Sequence, residues 1–273
     1  MSKDEKRTKS KKKSRKEADK PAAKGSDLST DWPETSGSTG HPRTLAIDIG
    51  GSGMKMMILD RTGRPLSERL RVPTPMPATA KRMLAELETM GSQMPEFDRV
   101  SVGFPGVIKS GKTMTAANLH QSWVDFPLQE TLSKMWDRPV RVCNDAAVQG
   151  YGAIEGNGVE LVLTLGTGMG SALYTEGHLS PGLELGHHPW RKGRTYEDYL
   201  GRKGLEKHGA KRWNELLLLA IEQTLRTFNW DSLYIGGGNA RQITAKLPPK
   251  TRVISNEEGL LGGVALWRHS GEL

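Results

Sequence analysis

A strand, a glycine-rich turn and a second strand occur in this order twice in the chain. The first turn is residues 50–53, between apolar runs at 44–49 and 56–59, and the second turn is residues 166–170, between 161–165 and 172–174. Glycines at such turns allow positive φ and let backbone N–H groups approach an anion closely. Two facing turns of this kind can hold a polyanion between two domains, which predicts phosphoryl transfer.

Either turn alone is typical of an ordinary β-hairpin. The first turn is not a Walker loop, because the pattern GxxxxGK[ST] is absent, and a strand rather than a helix follows it, unlike a dinucleotide-binding turn. Asp48 ends the strand before Gly50, where its carboxylate can reach a phosphate or a metal-bound water. The pairing of the two turns and this acid favour the anion-binding interpretation.

The 273 residues are enough for two domains of modest size. Residues 1–42 are rich in Lys, Ser, Gly, Pro and Thr and have no apolar periodicity, which predicts a disordered tail. Residues 1–20 carry ten Lys or Arg against four Asp or Glu. This basic run is either an arm for polyanions or a solubilising terminus, and we favour the terminus.

The composition also bears on location. No apolar stretch follows the basic residues and no run of 18 apolar residues occurs, so we expect neither a signal peptide nor a membrane span. The single cysteine, Cys143, excludes an intramolecular disulfide and a cysteine-rich zinc site. It lies in an apolar run that predicts a buried strand, and a reducing cytoplasm is consistent with this usage.

Periodicity predicts an alternation of strands and helices. The predicted strands are 44–49, 54–59, 66–71, 99–104, 140–143, 159–165, 171–174 and 232–235. The predicted helices are 78–90, 128–136, 146–154, 196–208, 213–228 and 257–268. Because strand pairs followed by helices occur in both halves, we expect two similar α/β domains, 43–145 and 146–273, with a cleft between them.

Asn144 and Asp145 follow the predicted strand 140–143. Either residue can cap the next helix, which is a structural role. Alternatively, Asp145 is a general base at the carboxyl end of a strand, where α/β proteins place ligand groups, and accepts a proton from a sugar hydroxyl. The residues themselves leave both interpretations open.

Polar residues on two further loops are candidate ligands. Glu184 and His187 are three residues apart, so the carboxylate can accept and the imidazole donate hydrogen bonds to one polyol. Zinc bound by His187 and His188 is disfavoured, because adjacent histidines point apart on an extended chain and no thiols are near. Asn118 is either another polar contact or an ordinary turn residue.

Three glycines end the predicted strand 232–235. The run Gly236, Gly237 and Gly238 is either a flexible loop or a place where the backbone approaches a nucleotide or a phosphate chain.

Taken in order, these segments resemble the ROK family of sugar kinases over essentially all of residues 43–273. The matching segments are DIGGSGMK (48–55), GFPG (103–106), Asn118, Asn144 with Asp145, LGTGMG (165–170), ELGH (184–187) and GGG (236–238). Within the family the chain is most similar to the glucokinases that use polyphosphate. The resemblance implies a two-domain actin/hexokinase-like fold of the α/β class, related to ribonuclease H.

The resemblance also implies roles for the matched residues. Asp145 matches the catalytic base. The residues that match sugar ligands are Asn118, Asn144, Glu184, His187 and, less directly, Glu197. Those that match the donor-phosphate loops are Asp48, Gly50, Gly51, Ser52, Gly53, Lys55, Thr167, Gly168, Gly170, Gly236, Gly237 and Gly238. Glucose, polyphosphate or ATP, and Mg²⁺ held through a water on Asp48 are the implied ligands, and we expect a homodimer.

Two features differ from typical family members. Residues 188–197 contain no cysteine, whereas typical members carry a cysteine-rich zinc motif there. The polyphosphate glucokinases lack it too, so we expect no zinc. Residues 1–42 lack the apolar residues of a helix-turn-helix domain, such as family repressors carry, so we expect no specific nucleic-acid partner.

Together, the motifs and the resemblance indicate a kinase for the 6-hydroxyl of glucose. Its alternatives are a strictly ATP-dependent kinase for glucose or another hexose, a non-catalytic sugar-binding regulator, which an intact Asp145 disfavours, and a nucleic-acid-binding protein, which rests on the tail alone. Six basic residues are candidates for flanking the cleft and attracting polyphosphate: Lys55, Lys109, Lys112, Arg191, Lys192 and Arg194.

Overall fold

The computed structural model describes residues 41–116, 119–255 and 262–267. The tail predicted at 1–42 therefore lies outside the described residues, except for its last two positions. In chain order the first half contains β1 (Thr44–Ile49), β2 (Met54–Leu59), β3 (Leu70–Val72), α1 (Ala80–Gly91), β4 (Arg99–Phe104), β5 (Ile108–Lys109), β6 (Lys112–Thr113), α2 (Leu128–Trp136), β7 (Val140–Asn144) and α3 (Asp145–Tyr151).

The second half continues with the same alternation. Its elements are β8 (Val159–Leu165), β9 (Met169–Thr175), β10 (His178–Leu179), β11 (Pro189–Arg191), β12 (Arg194–Thr195), α4 (Tyr196–Leu200), α5 (Arg202–Phe228), β13 (Ser232–Gly236) and β14 (Thr251–Val253). Short 3₁₀ turns lie at Gln121–Trp123, Leu185–His187 and Gly238–Gln242.

Two five-stranded sheets share one topology. The strand orders are β3-β2-β1-β4-β7 and β10-β9-β8-β13-β14. In each sheet the first three strands in the chain are antiparallel neighbours, and the last two run parallel to the first. The repeated unit predicted from the sequence is therefore confirmed as a repeated sheet. In both sheets the glycine-rich turn joins the first two strands.

Each sheet has its own apolar core. Leu45, Met56 and Val102 of the first sheet pack with Met83 and Leu87 of α1 in one buried cluster. In the second half a buried cluster joins β8 and β13 to α5, through residues such as Leu161, Leu233, Trp213 and Leu217.

Helix α3 follows the last strand of the first sheet. Its residues Ala147 and Val148 pack with Val162 and Tyr174 of the second sheet, and the Tyr174 hydroxyl donates to Ala147 O. The division of the folded part at residues 145–146 stays a prediction, and α3 begins at that point. The location of Cys143 is as expected, since it is buried in β7 and burial raises the pKa of its thiol to about 12.

Several predicted element bounds need correction. The strand predicted at 66–71 shrinks to β3 (Leu70–Val72), because Ser67 Oγ accepts the Ile58 N–H that a longer strand would need. The helix predicted at 196–208 is broken at Gly201, which is extended (φ −70°, ψ 178°). Gly201 is the C-cap of α4 and the N-cap of α5. The helix predicted at 213–228 is the second part of α5, beyond a non-helical Gly209.

Smaller differences occur at other helix ends. The helix predicted at 78–90 begins at Ala80 because the Thr79 side chain caps it, and the one predicted at 146–154 runs from Asp145 to Tyr151. Of the helix predicted at 257–268, only 262–267 lie among the described residues, and 262–265 are helical. None of the described helices combines the length and the apolar character needed to cross a bilayer.

Candidate active site

A cavity of about 660 Å³ is lined by residues of both sheets. Among the predicted site residues, those that line it are Asp48, Gly50, Gly51, Ser52, Gly53, Lys55, Asn144, Asp145, Thr167, Gly168, Gly170, Glu184, His187, Glu197, Gly237 and Gly238. Gly236 is buried at the end of β13 and does not line it. Asn118 lies outside the described residues. The fold thus brings all but one of the described candidates to one cavity.

The two glycine-rich turns touch each other across this cavity. Ser52 Oγ of the first turn and Thr167 Oγ1 of the second are 3.2 Å apart, although 115 positions separate them in the sequence. Each turn is closed by a backbone hydrogen bond, from Gly50 N to Gly53 O (3.0 Å) and from Gly166 N to Gly168 O (2.9 Å).

The turns expose backbone donors. The N–H groups of Gly51, Ser52, Thr167 and Gly168 make no hydrogen bond to any residue that the structure describes. All four residues line the cavity. Unpaired N–H groups at such turns form an anion-binding concavity, because each carries a partial positive charge that no internal acceptor neutralises.

Asp145 is the first residue of α3 and lies at the carboxyl end of β7. The open choice between cap and base is resolved in part by geometry. Asn144 is the N-cap, since its Oδ1 accepts from Ala146 N (2.9 Å) and Ala147 N (3.3 Å). The Asn144 amide also donates to Gly106 O at 3.2 Å. Asn144 is therefore the cap, while Asp145 lines the cavity and its Oδ1 accepts the Ala146 N–H at 2.8 Å.

The environment of Asp145 suits a proton acceptor. Burial, together with the nearby carboxylates Asp48 and Glu184, raises its pKa to about 7, while Lys55 opposes the rise. Low polarity and like charges both disfavour the ionised form of an acid. A base whose pKa lies near neutral pH is effective, because it is ionised often enough and still holds a proton well.

Asp48 and Lys55 form an ion pair at the base of the first turn. They lie opposite each other on β1 and β2, and Lys55 Nζ is 2.5 Å from Asp48 Oδ2. Both side chains are partly buried in the cavity wall. The pair places a carboxylate and an ammonium next to the unpaired N–H groups of the first turn.

Glu184, His187 and Glu197 form a second polar group. Glu184 Oε2 is 3.9 Å from His187 Nδ1, and Glu197 Oε2 is 3.7 Å from His187 Nε2, so a carboxylate lies on each side of the ring. Burial raises the pKa of Glu184, His187 opposes this rise and Glu197 adds to it. Carboxylates and an imidazole arranged in this way can bind several hydroxyls of one sugar.

The backbone of this group is constrained. Residues 185–187 form a 3₁₀ turn rather than the predicted loop, and Glu184 precedes it in the left-handed region (φ 43°). Such a conformation costs a non-glycine residue about 1–3 kcal/mol and is found where function requires it. Gly186 must be glycine, because a Cβ there would collide with Met169 O.

Glu197 links the polar group around His187 to the second turn. Its Oε2 accepts the Met169 N–H at 3.0 Å, at the point where the turn enters β9. Glu197 is on α4, whose start is fixed by a capping box between Thr195 and Asp198. A change at the Glu197 carboxylate should therefore reach both the sugar side and the second turn.

Aromatic residues on and just before α4 pack together and support this short helix. Trp190 stacks on Tyr196 (ring centroids 4.8 Å apart, 9° between planes) and meets Tyr199 edge-on at 5.3 Å. The Trp190 indole also donates to Gln223 of α5. This packing fixes the short helix that carries Glu197.

The third glycine run is split between two roles. Gly236 closes β13, and a Cβ there would lie 2.8 Å from Gln149 Oε1. Gly237 has φ 87°, and a Cβ there would collide with the Leu165 backbone, so only glycine fits beside the second turn. Asn239, which the sequence analysis missed, donates from Nδ2 to Gly166 O at 2.9 Å.

The cations around the cavity differ from the six candidates. Of those six, only Lys55 lines it, and Lys109, Lys112, Arg191, Lys192 and Arg194 do not. Four arginines that the sequence analysis missed do line it: Arg69, Arg71, Arg202 and Arg241. Strand alternation could have identified two of them, because Arg69 and Arg71 are two residues apart in the predicted strand 66–71 and would share a face.

Asp48 is the candidate magnesium ligand in the cavity wall. Among the described residues no group of three or more His, Cys, Asp or Glu side chains is arranged to hold a metal ion. Mg²⁺ characteristically binds one or two carboxylates together with substrate phosphates, and Asp48 in the cavity wall fits that donor set.

The ROK family model matches residues 44–204, and the chain belongs to the ROK family. It is 32% identical over 254 residues to the polyphosphate glucokinase of Mycobacterium tuberculosis, an alignment that covers 84% of this chain and 92% of that protein. The structural neighbours that are ROK sugar kinases have the actin/hexokinase-like fold, which is the fold found here.

Solved structures agree on the fold. The inorganic polyphosphate/ATP-glucomannokinase of Arthrobacter sp. strain KM is 32% identical, with a TM-score of 0.74 over 83% of this chain and 98% of that one. A ROK family glucokinase from Streptomyces griseus, solved with glucose and AMPPNP, is 20% identical with a TM-score of 0.65, over 82% and 98% of the two chains. The second likeness shows the shared fold alone.

Proposed function

We propose that this protein transfers a phosphoryl group from inorganic polyphosphate, or from ATP, to the 6-hydroxyl of glucose. The observation that carries the proposal is the convergence of Asp145, both glycine-rich turns and the Glu184–His187–Glu197 group on one cavity. The identity to a polyphosphate glucokinase over most of both chains supports the choice of donor and sugar. A two-domain division at residues 145–146, a homodimer and a cytoplasmic location belong to the same proposal.

Glucose binds on the side of the cavity that holds Glu184, His187 and Glu197. The two carboxylates accept hydrogen bonds from sugar hydroxyls, and the imidazole lies between them. Their fixed backbone orients the sugar so that its 6-hydroxyl meets Asp145. Orientation of this kind lowers the barrier because the entropy of bringing the reactants together is lost on binding rather than in the transition state.

Asp145 acts as the general base. Its carboxylate accepts the proton of the 6-hydroxyl as the oxygen attacks the terminal phosphorus of the donor. The bond from that phosphorus to the bridging oxygen breaks, and the shortened donor leaves with the electron pair. Because the pKa of Asp145 is about 7, a large share of the molecules have the ionised base near neutral pH.

The two turns hold the donor in line with this attack. The N–H groups of Gly51, Ser52, Thr167 and Gly168 point to phosphate oxygens, and Lys55 adds a positive charge. Such preorganised donors stabilise the charge that spreads over the phosphoryl oxygens in the transition state. Mg²⁺ bound with the donor near Asp48 would supply further neutralisation of the phosphate charges.

A coupled assay for glucose 6-phosphate tests the proposal, with ATP and polyphosphate as separate donors. We expect product with polyphosphate at low salt in the presence of Mg²⁺. Product with ATP alone would instead favour the strictly ATP-dependent alternative, in which Gly237 and Gly238 approach the nucleotide. Glucose binding without product from either donor would support the non-catalytic regulator and contradict the proposal.

A further inference from the structure

A row of charged side chains crosses the first sheet from its centre to its edge. Asp48 on β1 lies opposite Lys55 on β2, and Lys55 lies opposite Arg71 on β3. Directly opposite residues of antiparallel strands project from the same face of a sheet. Arg69 lies just before β3, two positions from Arg71, and also lines the cavity, so it adds a second positive charge at this end of the row.

The guanidinium of Arg71 lies next to the first turn. A Cβ built on Gly53 would be 3.5 Å from Arg71 Nε and 3.8 Å from Arg71 Nη2. This closeness puts the positive charge beside the N–H groups that face the cavity. Any anion held by the first turn is therefore within reach of Arg71.

Arg69 and Arg71 differ from Arg212 and Arg226 of α5 in having no acid paired with them among the described residues. On α5, Arg212 pairs with Glu215 at 2.5 Å and Arg226 with Glu222 at 2.6 Å. In the described part of the chain, neither Arg69 nor Arg71 has a hydrogen bond or an ion pair from its side chain. Two like charges on one face repel each other, and a bound polyanion would offset that repulsion.

The row leads out of the cavity. β3 is an outermost strand of the first sheet. Two strand spacings of about 4.8 Å separate β1 from β3, so the row extends about 10 Å from Asp48 to the edge. A donor that uses the whole row must carry negative charge over that distance.

We propose that Arg69 and Arg71 bind the part of a polyphosphate chain that lies beyond the transferred phosphate, and that they contribute little to ATP. This inference rests on the proposed function. A nucleotide replaces the extended chain by ribose and base, which gain nothing from a row of cations. The other wall of the cavity, where Gly237, Gly238 and Arg241 lie, suits the nucleotide better because the backbone can approach it there. Arg69 and Arg71 thereby bias the enzyme toward polyphosphate.

The test compares the double variant Arg69→Gln with Arg71→Gln against the wild type. The donors are long-chain polyphosphate, tripolyphosphate and ATP. The control is Arg64→Gln, which removes one positive charge from the connection between β2 and β3 but lies outside the cavity. We expect KM for long-chain polyphosphate to rise about tenfold, because the double variant loses charge-assisted hydrogen bonds to phosphate, and KM for ATP to change by less than about twofold.

Salt dependence and direct binding provide two further readouts. Loss of two phosphate contacts should lower the slope of log KM for polyphosphate against log salt by about 1.4, at about 0.7 per contact as for single-stranded nucleic acids. Calorimetric titration with polyphosphate, without glucose, should show weaker binding by the double variant and unchanged binding by Arg64→Gln. Equal thermal melts of the three proteins would exclude a loss of fold as the cause.

Four results would overturn the inference. The first is an equal change of KM for polyphosphate and ATP, and the second is no change for either; both leave the proposed function intact. The third is failure of the wild type to use polyphosphate at all, which would also remove the donor assignment of the proposed function. A rise of KM confined to tripolyphosphate would place the arginines at the transferred phosphate and contradict the extended track.

Discussion

The first glycine-rich turn is held by its own sheet and surrounded by charge, whereas the second is held by groups from distant segments. Around the first turn, Thr74 donates to Gly50 O, and Lys55 pairs with Asp48. At the second turn, Gly166 O accepts from Arg202 N and from the Asn239 amide, both at 2.9 Å. Glu197 holds the Met169 N–H.

The two turns have similar glycine patterns, but their different surroundings suit them to different roles. The first turn has the cations Lys55 and Arg71 near it, which favours binding of the donor phosphates. The second turn is tied through Glu197 to His187 and hence to the sugar side. A sugar that rearranges Glu197 can therefore alter the second turn, whereas the first turn has no comparable link among the described residues.

Among the changes that separate the two turns, the largest effect is expected at Gly170, where the second turn enters β9. A Cβ at Gly170 would lie 2.5 Å from Thr164 Oγ1 and 3.0 Å from Ala146 Cβ, next to Asp145. Gly170→Ala should lower kcat about 10²-fold, because a displacement of about 1 Å can cost that much. Steady-state kinetics measures it, and Gly166→Ala is the matched control, since nothing described lies within 4 Å of a Cβ there. Equal kinetics of the two variants would contradict the geometry.

The next prediction compares how variants near each turn change KM for glucose and KM for the donor. Glu197→Gln removes a charged acceptor from Met169 N–H and from the sugar side, so KM for glucose and for the donor should both rise, by about tenfold or more. Lys55→Gln should raise KM for the donor while leaving KM for glucose unchanged. Full kinetic matrices of both variants check this. A selective effect of Glu197→Gln on glucose would break the proposed link between the sugar side and the second turn.

The pH profile of kcat/KM should shift in opposite directions when the charge of Glu184 or that of Lys55 is removed. The base form of Asp145 exists above its pKa of about 7, so kcat/KM for glucose should rise with pH below 7 and level off above it. Glu184 raises this pKa and Lys55 lowers it. Glu184→Gln should therefore shift the profile to lower pH and Lys55→Gln to higher pH. Shifts in one common direction would contradict the assignment.

The smallest effect concerns the contact between the turns. The hydroxyls of Ser52 and Thr167 are 3.2 Å apart on exposed tips. A double-mutant cycle of Ser52→Ala and Thr167→Ala should give a coupling of about 0.5–1.5 kcal/mol in kcat/KM for the donor. Strictly additive effects would mean that the two turns act independently.

Much of the fold was predictable because the apolar pattern is strong. The strands 44–49, 54–59, 99–104 and 159–165 have the predicted bounds, since each is an apolar run that ends at a glycine, a proline or a turn. The strand predicted at 66–71 failed because a single side chain, Ser67, captures a backbone N–H of the neighbouring strand. No periodicity in the sequence reports such a contact.

The site was predictable in its residues but not in its electrostatics. Asp145, Glu184 and His187 were found because they follow strands or glycines in the order of the family. Arg71 was missed because its position depends on its register opposite Lys55, which is set only when β3 pairs with β2. The left-handed backbone of Glu184 likewise depends on Gly186 packing against Met169 in three dimensions.

The central claim is that both turns present their donor to one base, Asp145, and the variant Asp145→Asn tests it most directly. We predict that kcat falls about 10²–10⁴-fold with polyphosphate and with any other donor that the wild type uses. The fold should survive with a higher Tm at pH 8, because ionised Asp145 destabilises the native state as pH rises from about 4 to 7, and the gain should shrink as pH falls toward 4. A kcat near that of the wild type with either donor would contradict the claim.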